Sequence, residues 1–207
     1  CPVLADPLSN LRFGGHDRSR FFSRYDAFLR RTHFTETHRP EWVLRFGAMP
    51  VSRQLQNALA ACTEATHFLV ESHGRWPDPL HQTNRLLRSD ADAVCAALVA
   101  ARPLPAPATW LEDFAAEELR AAGLVQASAK PIEAEVVEAL LHQFAGGCLF
   151  SGNSMAIRDL DSFAAGGEAP LRIVGNRGAS GIDGNVSTAL GLCAALGKPV
   201  VALLGDL

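Results

Sequence analysis

The chain has 207 residues, 48% of them hydrophobic and 20% charged, with a net charge of −3. Those figures describe a globular protein of one or two domains. With no basic stripe, no acidic tail and no apolar run long enough for a bilayer, they argue against nucleic acid, membrane-surface binding and membrane insertion.

In chain order, apolar runs read as buried parallel strands at Val3–Ala5, Trp42–Phe46, Phe68–Val70, Cys148–Phe150, Leu171–Val174 and Val200–Leu204. Helical periodicity fills the intervals at Phe21–Arg31, Val51–Cys62, Ala91–Ala101, Trp110–Ala122, Ile132–Phe144, Ser154–Ala164 and Val186–Leu196. Alternation of this kind predicts an α/β fold, with parallel sheets flanked by helices. The proline-rich stretch "ARPLPAPAT" at Ala101–Thr109 breaks any helix, and "QASAKP" is a second break. The reading is therefore two domains, 1–125 and 126–207, with Trp110–Ala122 as a linker helix.

Chain ends and titratable residues narrow the chemistry. The sequence opens "CPVLADP" without Met and stops at "VVALLGDL", so it reads as a piece of a longer protein without a signal peptide. Cys1, Cys62, Cys95, Cys148 and Cys193 are odd in number and form no CxxC pair. They read as reduced thiols, four of them in apolar runs or patterned helices, in a cytoplasmic protein. His67 reads as structural. His33, His38, His73, His81 and His142 read as surface or loop residues, and no histidine pair has metal-site spacing.

Three segments could carry chemistry, each at the carboxyl end of a predicted strand, where open α/β sheets hold ligands. Cys148–Phe150 runs into "SGNSMAIRDL". There Asn153 or Ser154 is placed to cap a helix, and Ser154 and Arg158 share one helix face. These could be a capping serine and a solvated arginine, or a hydroxyl and a guanidinium aimed at a ligand. Leu171–Val174 runs into "GNRGASGIDGNVSTALG", where Arg177 sits among Gly178, Gly181 and Gly184. Glycine there allows positive φ or close approach by a ligand, although a plain glycine turn has the same composition. The stretch is neither G-x-G-x-x-G nor a P-loop. Val200–Leu204 runs into Gly205-Asp206, a position that suits Mg²⁺ beside a phosphate.

The order of these parts resembles the diphosphate domain of thiamine-diphosphate enzymes. Together "SGNSMAIRDLD", "NRGASGIDG", "GKPVVALLGDL", "LADPLSNLR" and "RFGAMPVSRQL" resemble the 2-succinyl-5-enolpyruvyl-6-hydroxy-3-cyclohexene-1-carboxylate (SEPHCHC) synthases of menaquinone biosynthesis. The likeness runs nearly end to end. It implies a central domain (1–125) followed by a truncated diphosphate-binding domain (126–207). It also implies a carboligase that joins the succinic semialdehyde unit of decarboxylated 2-oxoglutarate to isochorismate, releasing CO₂. Thiamine diphosphate and Mg²⁺, with Mn²⁺ as an alternative, are the implied cofactors, and a cytoplasmic homodimer or homotetramer the implied assembly.

Carried over residue by residue, the resemblance assigns substrate contacts to Ser154, Arg158, Arg177 and Arg53. Gln54 stands where the family has a second basic residue. The cofactor contacts are Ser180, Gly181, Ile182 (the apolar wedge that bends the cofactor), Gly205 and Asp206, with Asp206 also the metal ligand. The glutamate that activates the pyrimidine ring is expected outside this chain, and Glu36, Glu41 and Glu71 match no such motif. The piece alone is expected to be inactive. The alternatives are another thiamine-diphosphate carboligase, of the acetolactate-synthase type, or a non-catalytic α/β binding module.

Overall fold

The computed structural model describes residues 1–127, 131–178 and 181–205. Its first layer is a short parallel pair, β1 (Val3–Leu4) with β2 (Phe21–Phe22). After the helical turns α1 (Tyr25–Phe28) and α2 (Thr32–Thr37) comes a parallel sheet in the order β3 (Trp42–Phe46), β4 (Thr66–Val70), β5 (Thr83–Leu87). Helix α3 (Arg53–Ala60) connects β3 to β4, and α4 (Ala91–Ala101) and α5 (Ala108–Ala127) follow β5. A third parallel sheet, order β7 (Arg172–Gly175), β6 (Cys148–Ser151), β8 (Val200–Leu203), carries α6 (Ile132–Gln143), α7 (Met155–Phe163) and α8 (Asn185–Leu196). The expected α/β architecture of parallel sheets flanked by helices is the one found.

Two apolar cores organise these layers. One gathers Val137 of α6, Ile157 and Leu160 of α7, and Leu149 and Ile173 of the third sheet, together with Phe13 from the chain's first segment. Alternate residues of β6 and β7 supply one face of the sheet, as strand geometry requires. No residue of α8 belongs to this core. That agrees with the strand order: the chain steps from β6 to β7, then crosses back past β6 to β8, so right-handed crossovers put α7 and α8 on opposite faces. The other core is aromatic. Phe28, Phe34 and Phe114 of α1, α2 and α5 meet edge to face at 5.0–5.8 Å, with Phe22, Tyr25 and Leu55 around them.

The segment Ala5–Gly14 stitches the two cores together. Arg12, 2% exposed, donates from Nε to the Ala5 carbonyl at 2.6 Å. Its Nη1 donates to the Leu160, Asp161 and Ala164 carbonyls at 3.2, 3.0 and 3.0 Å. These carbonyls lie at the carboxyl end of α7, where the Leu160 oxygen also accepts from the Ala164 N–H at 3.0 Å, and a cation is a natural cap for such an end. Its Nη2 pairs with the Asp161 carboxylate at 2.5 Å, and the Tyr25 hydroxyl donates to the same oxygen at 2.7 Å. Gly166 lets the strap lie close, since a Cβ there would stand 2.4 Å from the Arg12 carbonyl oxygen.

Several sequence expectations need correction. Phe21–Arg31 is not one helix: Phe21–Phe22 pairs with β1, and only Tyr25–Phe28 is helical. Strand β5 was not expected, because "TNRLL" is half polar and lies at the sheet edge with Asn84 and Arg85 exposed. Helix α5 outruns Trp110–Ala122 at both ends. Of the cysteines, all free, only Cys148 is buried, and Cys1 and Cys95 are exposed. His38 lies in the loop after α2, within the surface-or-loop expectation, but it is half-buried: its ring stacks on Phe34 at 4.1 Å and meets the Asp113 carboxylate at 3.0 Å. In the loop "GRWPDP" (Gly74–Pro79) the buried Asp78 accepts from the Thr83 backbone at 2.7 Å and faces Arg45, contacts that hold the loop to the sheet.

Candidate active site

The third sheet brings three chain segments to one rim. In its register Ser151, Gly175 and Leu203 are aligned partners, so β6, β7 and β8 end at the same level. The loops leaving them are close neighbours. The Gly152 N–H donates to the Leu203 carbonyl at 2.8 Å, and a Cβ on Gly152 would lie 3.3 Å from Leu204 Cδ2. A Cβ on Gly175 would lie 3.2 Å from the Ser151 carbonyl oxygen. Because the chain reverses direction across β6, this rim is a topological switch point, where parallel α/β sheets open a crevice.

Ser154 opens α7 at this rim, but not as the expected capping serine. Its backbone is at φ 63°, ψ −127°, and its side chain makes no capping hydrogen bond. A non-glycine residue held there costs on the order of 1–3 kcal/mol, and such outliers cluster at ligand sites. The hydroxyl is exposed and free of the helix end. Arg158, one turn along α7, is exposed too. Residues Ala156, Ile157, Leu160 and Asp161 form the buried side of α7, leaving Arg158 on the solvent side.

Arg177 leaves the end of β7 and reaches across to the β6 loop, donating from Nη1 to Asn153 Oδ1 at 2.9 Å. In the same loop the Asn176 amide donates to Thr188 Oγ1 of α8 at 3.0 Å. Gly181 and Ile182 follow, both exposed, Ile182 by 67%. Gly184 caps α8 at φ 88°, a conformation that glycine adopts without strain. The first residue of α8, Asn185, is 7% exposed, and its Oδ1 is buried without a partner. Gly205 lies just past β8 with nothing within 4 Å of where a Cβ would stand. Ser180 and Asp206 lie outside the described residues.

Arg53 comes from the other sheet. It is the first residue of α3, exposed, beside the N-cap Ser52, whose Oγ accepts from the Leu55 N–H. A relay of contacts ties this helix start to the rim. The Val51 N–H donates to Asp6 Oδ2 at 2.8 Å, Asp6 Oδ1 accepts from the Leu8 N–H, and the Leu8 side chain lies against Gly175. Gln54 is half-buried in the same turn.

The electrostatics favour an anion. Among the described residues no ion pair involves Arg53, Arg158 or Arg177, whereas Arg12, Arg24 and Arg45 each hold a carboxylate. Helices α7 and α8 both begin at this rim, so their positive dipole ends add to the guanidinium charge. No cluster of three or more His, Cys, Asp or Glu that could hold a metal exists among the described residues. Sequence reasoning treated Asn153 only as a cap candidate and gave Asn185 no role. The contact of Asn153 joins segments 24 residues apart, which no local spacing reveals.

No protein-family model matches the chain. Curated relatives match all of it. It is 45% identical over 207 residues to the SEPHCHC synthase of Dechloromonas aromatica (strain RCB), covering 100% of this chain and 37% of that protein. It is 40% identical to the synthase of the same name from Chloroflexus aurantiacus and 38% to that of Bacillus velezensis, each match covering the whole chain and 36% of the relative. From first residue to last, this chain is similar to one segment of the 2-succinyl-5-enolpyruvyl-6-hydroxy-3-cyclohexene-1-carboxylate synthases, a segment of about 36% of their length.

Proposed function

We propose that this chain is part of a thiamine-diphosphate- and Mg²⁺-dependent carboligase that joins decarboxylated 2-oxoglutarate to isochorismate, giving SEPHCHC and CO₂. The observation that carries the reading is the similarity of the entire chain to synthases of that name. The rim supports the reading in that Ser154, Arg177 and the Arg158 helix offer donors of the kind two dicarboxylate substrates would need. The reading divides the chain into a central domain (1–125) and the opening part of a diphosphate-binding domain (126–207). It places the complete protein in the cytoplasm as a homodimer or homotetramer. No helix among the described residues is long and apolar enough to cross a membrane.

The described residues fit a diphosphate cofactor in the way its cradle requires. Gly178, Gly184 and Gly205 have open space over their backbones, which leaves room for a diphosphate to approach. Ser180, Gly181 and Gly205 would line the diphosphate, Asp206 would hold the Mg²⁺ or Mn²⁺, and Ile182 would support the bent cofactor. Thiamine diphosphate, when bound, supplies the carbon nucleophile and the electron sink that decarboxylation of a 2-keto acid needs. The protein's task is then to bind and orient. Arg177, Arg158 and Arg53 clamp substrate carboxylates, with the planar guanidinium offering paired N–H donors and a charge that does not titrate. The Ser154 hydroxyl donates a further hydrogen bond, and its strained backbone keeps that donor off the helix end. Such fixed donors need no reorganisation when charge shifts in the reaction.

The experiment is an assay of the complete protein for CO₂ release from 2-oxoglutarate, with thiamine diphosphate and Mg²⁺ present. Release that depends on both, with SEPHCHC formed when isochorismate is added, supports the reading. No release with isochorismate present rejects it.

A further inference from the structure

Arg177 is held differently from the arginines that pair with carboxylates. Arg12, Arg24 and Arg45 are each aimed by a carboxylate, on Asp161, Glu118 and Asp78. Arg177 is aimed by the neutral amide oxygen of Asn153 at 2.9 Å. An aspartate in that place would hold the guanidinium equally well and cancel its charge. An asparagine fixes the direction and leaves the charge free.

The asparagine bears a cost for this. Its Nδ2 is buried and has no hydrogen-bond partner. Turning the amide over would set its N–H groups against a guanidinium that has only donors, so the observed orientation is the one Arg177 allows. A buried donor without an acceptor is unfavourable, and a purely structural asparagine would be replaced at no loss by a residue without that donor. Asn153 also precedes Ser154, whose backbone sits at positive φ, so the loop that carries the amide has a fixed course.

We infer that Asn153 is a positioning residue for the anion site, aiming the Arg177 guanidinium at a substrate carboxylate without neutralising it. This rests on the reading of Arg177 as a carboxylate contact and adds to it a residue that acts through the arginine. Asn153 sets how well the site binds a dicarboxylate, and Asn rather than Asp there keeps the site cationic.

The test uses the complete protein, with glutarate as a dicarboxylate probe that cannot react, and the variants Asn153→Ala, Asn153→Asp, Arg177→Ala and the Ala/Ala double. Arg177→Ala is expected to weaken glutarate binding about tenfold or more, as loss of a charge-assisted contact does. Asn153→Ala is expected to weaken it about three- to tenfold, and the double variant no further than Arg177→Ala, because the two side chains act as one unit. Asn153→Asp is expected to bind worse than Asn153→Ala, which a merely structural role does not produce. With 2-oxoglutarate, Asn153→Ala should raise KM and leave kcat within about twofold, the mark of lost uniform binding. Crystal structures should show the Arg177 guanidinium ordered in the parent and in Asn153→Asp, and disordered in Asn153→Ala. Additive losses, or full binding by Asn153→Ala while Arg177→Ala is weak, overturn the inference. If Arg177→Ala binds glutarate normally, the carboxylate reading of Arg177 falls. The order of the guanidinium in Asn153→Ala then decides the positioning role by itself, and an unchanged side chain overturns it.

Discussion

Replacing Arg12 by Met tests the joint between the two cores. Met keeps most of the apolar stem, so the volume change is small and the effect isolates the guanidinium. That group makes contacts from 2.5 to 3.2 Å with Ala5, Leu160, Asp161, Ala164 and Tyr25. Its removal leaves Asp161, 2% exposed, as a buried carboxylate whose cation is gone. Removing one partner of a buried ion pair costs about 3–5 kcal/mol. At a urea slope of about 2 kcal/mol per molar, the midpoint should fall by about 1.5–2.5 M. Urea unfolding followed by tryptophan fluorescence reads this, with Trp110 packed against the aromatic core beside Tyr25. The double variant Arg12→Met/Asp161→Leu should recover much of the loss, since an apolar pair carries no stranded charge. A midpoint for Arg12→Met within about 0.3 M of the parent would refute the reasoning, because such a shift leaves under about 1 kcal/mol to the whole network.

Burial pushes the Asp161 carboxyl up to about 6 from its ordinary 3.8, against the pull of Arg12 and Tyr25. The folded state therefore keeps a proton that the unfolded state has lost over that interval. The resulting stability is present below about pH 3.8 and is lost as pH rises through about 6, a change of about 3 kcal/mol. Subtracting urea midpoints of Asp161→Asn from those of the parent between pH 4 and 7 should reveal this slope, and a flat difference contradicts it. Ser154→Gly relieves a strain of about 1–3 kcal/mol and adds about 0.4–1 kcal/mol of unfolded-state entropy, so stability should hold or rise while 2-oxoglutarate KM increases. A clear fall in the melting temperature would mean that the serine conformation is not strained. Gly166→Ala, whose Cβ would stand 2.4 Å from the Arg12 carbonyl oxygen, should cost about 1–3 kcal/mol, and an unshifted melting temperature would refute that close approach.

Much of this protein is legible in its sequence where the physics is local. Trp42–Phe46 and Ala91–Ala101 form the elements their apolar patterns predict, residue for residue. Strands fail where they are short or polar: β2 is two residues long inside a helix-like pattern, and β5 carries Asn84 and Arg85 outward from a sheet edge. The rim is legible in part. Ser154 and Arg177 announce themselves by standing just after apolar strands, which is a positional signal. What aims Arg177 is invisible in the same way that Arg12 is. Asn153 is 24 residues from its arginine and Asp161 is 149 from its own, and nothing local marks either pairing. The positive φ of Ser154 is equally silent, since serine before a helix reads as a cap.

The measurement that bears most directly on the central claim compares two keto acids in the complete protein and in its Arg177→Ala variant. 2-Oxoglutarate has a distal carboxylate and pyruvate does not. The account predicts that Arg177→Ala lowers kcat/KM for 2-oxoglutarate about 10²-fold or more and changes that for pyruvate little, because only the former loses a charge-assisted contact. Equal losses for both acids, or undiminished use of 2-oxoglutarate, would contradict the claim that this rim is an anion clamp for dicarboxylates.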